Sequence, residues 1–179
     1  MTETAILGGG CFWCLEAVYR QMRGITSVIP GYAGGAVLHP TYKQVCSGLT
    51  GHAEVVKLEW DPAILNYQQI LQCFFALHDP TTLNRQGNDV GSQYRSVIFY
   101  TSAQQYEIAK EVIQRITDSN LWGAPLVTQL CALDTFGPAE AEHHNYYAKH
   151  PHAGYCQAVI TPKLAKARKA LGNLLHPAP

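Results

Sequence analysis

Ala53-Glu54-Val55-Val56-Lys57-Leu58-Glu59-Trp60 and, after a short polar gap, Tyr67-Gln68-Gln69-Ile70-Leu71-Gln72-Cys73-Phe74-Phe75-Ala76-Leu77 decide the fold of this chain. The first run alternates well enough for a strand, and the second carries Ile70, Leu71, Phe74 and Phe75 at helical spacing. The pair recurs downstream. Residues 95–100 read as a strand, 104–116 as a helix with Ala109, Val112, Ile113 and Ile116 facing inward, and 126–133 as another strand. This rhythm predicts an α/β (α+β) fold, a two-layer sandwich with helices packed on a mixed sheet, and leaves the strand order open. Working outward, residues 4–7 form a brief strand, Gly8-Gly9-Gly10 a turn, and 12–22 a helix with Leu15, Val18 and Tyr19 on one face. A polar loop covers 79–93, a helix 138–149, a strand 155–160 and a cationic surface helix 163–175.

The chain has 179 residues, with 13 Lys plus Arg balancing 13 Asp plus Glu and 47% hydrophobic residues. No linker divides it, so residues 1–179 are expected to form a single domain with a conventional core. Zero net charge provides neither the basic footprint of a nucleic-acid binder nor a cationic face for anionic lipid. No apolar run approaches the roughly 18 residues of a membrane span, and the start Met1-Thr2-Glu3-Thr4 is polar, so a cytoplasmic location is expected. Six cysteines are too few for a secreted disulfide scaffold of this length. In a reducing compartment they serve as metal ligands, catalytic thiols or core.

Gly8-Gly9-Gly10-Cys11-Phe12-Trp13-Cys14 is the most unusual local sequence. It presents Cys11 at a helix N-terminus, where unpaired N–H groups and the helix dipole favour the thiolate, and the glycines let a substrate approach the backbone. The bland alternative is a small buried residue at a helix start. A zinc site needs a second close ligand pair, and none exists, so no metal is expected. Without further information Glu54 is a charge on the solvent side of its strand, Tyr42 and Tyr94 are half-buried tyrosines, Asp89 a turn residue and Trp13 core. Glu16 reads as a favourable charge near the helix start, and Cys46, Cys73 and Cys131 as core.

The segment Gly10-Cys11-Phe12-Trp13-Cys14 resembles the signature of the peptide methionine sulfoxide reductase A family. The resemblance continues in order through Gly31-Tyr32-Ala33-Gly34-Gly35, Pro40-Thr41-Tyr42, Gly51-His52-Ala53-Glu54-Val55, His78-Asp79-Pro80-Thr81, Gly87-Asn88-Asp89-Val90-Gly91, Tyr94-Arg95-Ser96 and Gly154-Tyr155-Cys156. It implies reduction of methionine-S-sulfoxide, with Cys11 attacking the sulfur, Glu54 protonating the oxygen, and Tyr42, Tyr94 and Asp89 holding that oxygen or its network. Phe12 and Trp13 would then enclose the substrate methyl. It further implies that Cys156, in a C-terminal segment of about 150–179, resolves the sulfenic acid, whereas local spacing points to Cys14; a relay through both is the third possibility. Thioredoxin is the implied reductant, and the protein is expected to act as a monomer. Gly8-Gly9-Gly10 lacks the spacing of a dinucleotide loop, so no flavin or nicotinamide cofactor is expected. The segment 136–144 departs from the family at Gly137 and His144, and His143 reads as structural.

Three other functions remain compatible with parts of this sequence. A disulfide oxidoreductase would use the CxxC on protein disulfides. A hydrolase would pair Cys11 with His52 or His143. A binding module would hold oxidised methionine without thiol loss.

Overall fold

A computed structural model describes residues 3–177, so Met1 and Thr2 of the polar start lie outside the described residues. Its centre is a six-stranded mixed sheet. The strands are β1 (Glu3–Gly8), β2 (Ile25–Ala33), β3 (Ala53–Trp60), β6 (Val97–Tyr100), β7 (Gln129–Ala132) and β8 (Phe136–Pro138), ordered β7-β6-β1-β3-β2-β8. Only β6 and β7 run parallel. A two-residue hairpin, β4 (Arg85–Gln86) and β5 (Asp89–Val90), interrupts the expected polar loop.

The helices are α1 (Phe12–Tyr19), α2 (Tyr42–Cys46), α3 (Tyr67–Leu77), α4 (Ala103–Ser119), α5 (Tyr146–Lys149) and α6 (Thr161–Leu171). Those that enter the core do so on one face of the sheet, against Ala5, Leu7, Val56, Leu58, Trp60 and Ile98. Ile6, Val55, Val97 and Phe99, of opposite parity, form a smaller cluster on the other face with Phe136 and Leu133. Helix α3 matches the expected span because its apolar period is reinforced by a capping box, in which Asn66 and Gln69 satisfy each other's backbone N–H groups. Among the described residues, no helix is long and apolar enough to cross a membrane.

Several local readings are corrected. Strand β2, over a stretch for which the sequence predicts no element, contains Pro30 and Gly31 and is paired on both sides. Proline is tolerated there because its carbonyl still accepts from the Ala139 N–H at 2.8 Å. The helix expected over 138–149 is instead the end of β8, one 3-10 turn and the short α5, since Asn145 adopts a left-handed backbone (φ 55°) that no continuous helix allows. Residues 155–160 are not a strand. They are a π-helical stretch, Cys156–Ile160, running into α6, and the buried pair Cys156 and Ile160 lies at helical spacing. Pro162, which lacks an N–H, sits at the start of α6 directly after the widened turn. Cys73 is core as expected, but Cys46 is exposed and Cys131 only partly buried.

Candidate active site

The site is assembled where β1 ends. Gly10 has φ 96°, and a side chain there would meet Gln86 Cγ at 2.7 Å. Gln86 cannot yield easily, because its amide accepts from Asp79 N and donates to Asp79 O, both at 3.0 Å. Beneath the turn, Gly9 abuts His78 and Phe74. The His78 ring bridges Phe74 O (2.6 Å) and Ser96 Oγ (2.7 Å), and burial lowers it to about 4, so it stays neutral. Glycine at both positions is thus a consequence of close packing, and it delivers Cys11 to the N-cap of α1.

Glu54 shares the parity of Val56, Leu58 and Trp60, so it points under the helices, not into solvent; it is fully buried, opposite Tyr32 in the β2–β3 register. Its Oε1 accepts from the Phe12 N–H at 3.1 Å, and its Oε2 is buried without a protein partner. Burial raises it to about 8, the Phe12 N–H opposing and Asp89 adding to the rise, so it is mostly protonated at neutral pH. Because Oε1 takes an N–H, the proton resides on Oε2. Tyr42 and Tyr94 are raised by burial and further by Glu54, which keeps both phenols able to donate.

Aromatic packing forms the wall. Trp13 stacks on Tyr146 with centroids 3.7 Å apart and planes 6° from parallel, and Phe12, Tyr42 and His143 pack beside it. Phe12 is fully buried and supports the wall from below. The strand-proximal segment 139–149, misread from sequence, holds these rings in place. Glu140 accepts from Tyr32 OH and from Tyr42 N, both at 2.9 Å, and His143 Nδ1 accepts from Trp13 Nε1 at 3.2 Å. Glu16 is buried, takes the Asn145 N–H on both oxygens (2.8 and 2.9 Å) and pairs with Arg20 at 3.2 Å. Its role is this anchor rather than a charge at the helix start. Its burial was legible in its position among the apolar residues of α1, but its partner 129 residues away was not.

The thiols divide in an unexpected way. Burial pushes Cys11 well above the usual thiol range, and its hydrogen bond to Cys14 and the nearby Glu54 push it further. That same bond lowers Cys14 to about 7 against the cost of burial, helped by Lys163 and by Tyr155 OH, 3.6 Å from Cys14 Sγ. Desolvation thus opposes the helix start at Cys11, and the bond the two thiols share moves them in opposite directions. Asp89 accepts from Tyr155 OH at 2.6 Å, so it connects to Cys14 as well as lying near Glu54. Cys156 is fully buried, with Cys14 close enough to raise it.

The hydrolase reading finds no base. His52 is fixed between Gly35 N (3.1 Å) and Val37 O (2.6 Å), and His143 is occupied by Trp13.

A buried acid with a free oxygen beside a cysteine and two phenols is a site for moving oxygen off sulfur, and residues 3–174 match the family described as Peptide methionine sulfoxide reductase. The chain belongs to this family. A peptide methionine sulfoxide reductase MsrA of Polynucleobacter asymbioticus is 54% identical over 175 residues, covering 98% of this chain and 92% of that one. Among solved structures, methionine sulfoxide reductase A of Corynebacterium diphtheriae superimposes with a TM-score of 0.82 at 33% identity, covering 88% of this chain and 78% of that one. Reduced Mxr1 of Saccharomyces cerevisiae gives 0.81 at 32%, covering 87% and 89%. The protein is a peptide methionine sulfoxide reductase, a thiol-dependent oxidoreductase.

Proposed function

We propose that Cys11, Glu54, Tyr42 and Tyr94 carry the reduction, and that the substrate is the S epimer of methionine sulfoxide, free or in proteins. The observation behind this is the unpartnered, protonated Oε2 of Glu54 next to Cys11. A sulfoxide oxygen leaves sulfur only when protonated, and Oε2 is the proton that the site holds ready. Cys11 sulfur bonds to the oxygenated centre while Glu54 protonates the oxygen and the phenols stabilise it. The substrate sulfur–oxygen bond then breaks as the oxygen passes to Cys11 sulfur, the bond between the two sulfurs breaks as the sulfide departs, Cys11 is left as a sulfenic acid, and the Cys11 thiol proton replaces the one Glu54 gave. Trp13 and Phe12 orient the substrate methyl, and sulfur–aromatic contacts add about 0.3–1.5 kcal/mol.

Cys14 then attacks the sulfenic sulfur, water leaves, and a disulfide forms. The hydrogen-bond contact between the two thiols places Cys14 against Cys11, which favours Cys14 as the first resolving thiol. Cys156 follows by exchange with Cys14, so the C-terminal segment supplies the second thiol of the relay. Recycling requires an external dithiol, and thioredoxin suits that role; the yeast relative Mxr1 has been crystallised in complex with Trx2. We read the protein as a cytoplasmic monomer engaging neither nucleic acid nor membrane. Its balanced charge supports this.

The test is chiral chromatography of a racemic methionine sulfoxide peptide incubated with the protein and excess dithiothreitol. Loss of the S epimer alone is expected, and consumption of both epimers at equal rates overturns the assignment.

A further inference from the structure

A cleft beside α6 reaches the thiols. It has a volume of about 760 Å3 and is lined by both Cys11 and Cys14, yet by none of Glu54, Tyr42, Tyr94, Phe12 or Trp13. It therefore approaches the sulfur pair without crossing the aromatic wall. Leu77, Ala158, Val159, Pro162 and Trp122 make its sides apolar, and Lys163 and Lys166, one turn apart on α6, stand on it. Lys166 Nζ lies 5.8 Å from the centroid of the Trp122 ring. Among the described residues, neither lysine has a carboxylate within 4.0 Å. The two carboxylates of the cleft are already engaged, Asp89 by Tyr155 OH (2.6 Å) and Asp79 by the N–H and hydroxyl of Thr81 (2.9 and 2.5 Å). Among the described residues, Lys163 and Lys166 are the charged side chains of the cleft that make no hydrogen bond, so they are the ones open to a ligand.

We propose that this cleft binds low-molecular-weight anionic thiols, which reduce the enzyme by attacking the sulfur of Cys14. Its volume is that of a small-molecule site. The carboxylate or sulfonate of such a thiol would be held by Lys163 and Lys166, leaving its sulfur to reach Cys14. Cys156 does not line the cleft, so Cys14 is the sulfur of the second half of the relay that an incoming thiolate meets. The thiolate bonds to Cys14 sulfur, the Cys14 disulfide breaks, and its partner cysteine leaves as a thiolate and takes a proton. A second anionic thiolate then attacks the mixed disulfide, releasing Cys14 and a small disulfide, so two thiols supply the two electrons. A Cys14 thiol at about 7 is a good leaving group for that last step.

The inference rests on the proposed entry of Cys14 into a disulfide, and the experiment separates the two. Multiple turnover of a methionine sulfoxide peptide is measured with 2-mercaptoethanesulfonate, 2-mercaptoethanol and cysteamine at equal thiolate concentration, alongside the stoichiometric burst of sulfide without reductant. The anion is expected to be about three- to tenfold more effective than the neutral thiol at low salt, with the cation poorest. The preference should vanish at high salt and in Lys163→Gln/Lys166→Gln. When Cys14 is found in a disulfide by peptide mapping after a full burst, the lack of an anion preference, or a preference that survives in the variant, overturns the cleft alone; a full burst that leaves Cys14 a free thiol overturns its entry into a disulfide and with it this proposal. A missing burst instead sinks the reading of Cys11 and Glu54. A charge preference seen with thioredoxin but with none of the small thiols also overturns the proposal, since the cleft would then serve a protein reductant.

Discussion

A carboxyl held neutral at pH 7 must show the same proton in two measurements, the rate of sulfoxide reduction and the stability of the fold. Glu54 is raised from an ordinary 4.5 to about 8 in the folded protein. Between those values the folded state binds more protons than the unfolded chain. Its contribution to stability is therefore complete below the lower value and is lost as pH rises through the upper one. Denaturant midpoints should fall across that window, and Glu54→Gln should flatten the slope. The same variant should slow single-turnover sulfide formation by about 10²-fold or more, because an amide cannot replace the acid; an unchanged rate removes Glu54 from that role. Cys11→Ser should abolish turnover altogether, and residual sulfide production by the variant would transfer the nucleophile elsewhere. In the sequence Glu54 reads as a solvent-side charge; it shares parity with Val56, Leu58 and Trp60, but Ala53 and Val55 make the opposite face apolar as well, so its inward direction took the structure to decide. So did its missing partner on Oε2, since that depends on what β2 and α1 bring beside it.

At the scale of elements, two connections carry the geometry. The Gly8-Gly9-Gly10 turn has no room for a side chain at Gly10, so Gly10→Ala should cost about 1–3 kcal/mol in chemical denaturation and displace the start of α1. The expected signature is a fall in kcat beyond what lost stability explains. The second connection is the segment 139–149 clamped by Glu16. Glu16→Ala frees the Asn145 N–H and should cost about 2–3 kcal/mol. With Tyr146 no longer held against Trp13, KM for the peptide should rise more than kcat falls; the reverse pattern in steady-state kinetics would count against a positioning role. Elements whose stability is local, such as β3 and α3, were legible because apolar period and capping box agree. The 138–149 stretch was misread because its side chains bond to β2 and α1 and the left-handed Asn145 breaks any helix. The 155–160 stretch has strand-like composition, but Cys156 and Ile160 are buried together on a helix.

At the scale of the whole molecule, the fold buries Cys11, Cys14 and Cys156 in one core cluster, and the proposed relay needs all three. Cys156→Ser should retain a fast first turnover and lose sustained thioredoxin-coupled cycling. Cys14→Ser should instead leave the sulfenic acid of Cys11 long-lived, trappable by a dimedone-type reagent and detectable by mass. Normal cycling in Cys14→Ser would return resolution to a direct Cys11–Cys156 disulfide.

By itself the sequence determined the fold class, the alternation of strands and helices, and a cysteine at a glycine-rich helix start, because each is encoded by period, capping and backbone freedom within about 20 residues. Its string of motifs also determined the family. Only the tertiary structure decided that Glu54 is buried and neutral and that a cleft beside α6 reaches the thiols. These follow from desolvation and from neighbours more than 40 residues away in the chain, and a dielectric environment exists only once the layers have closed.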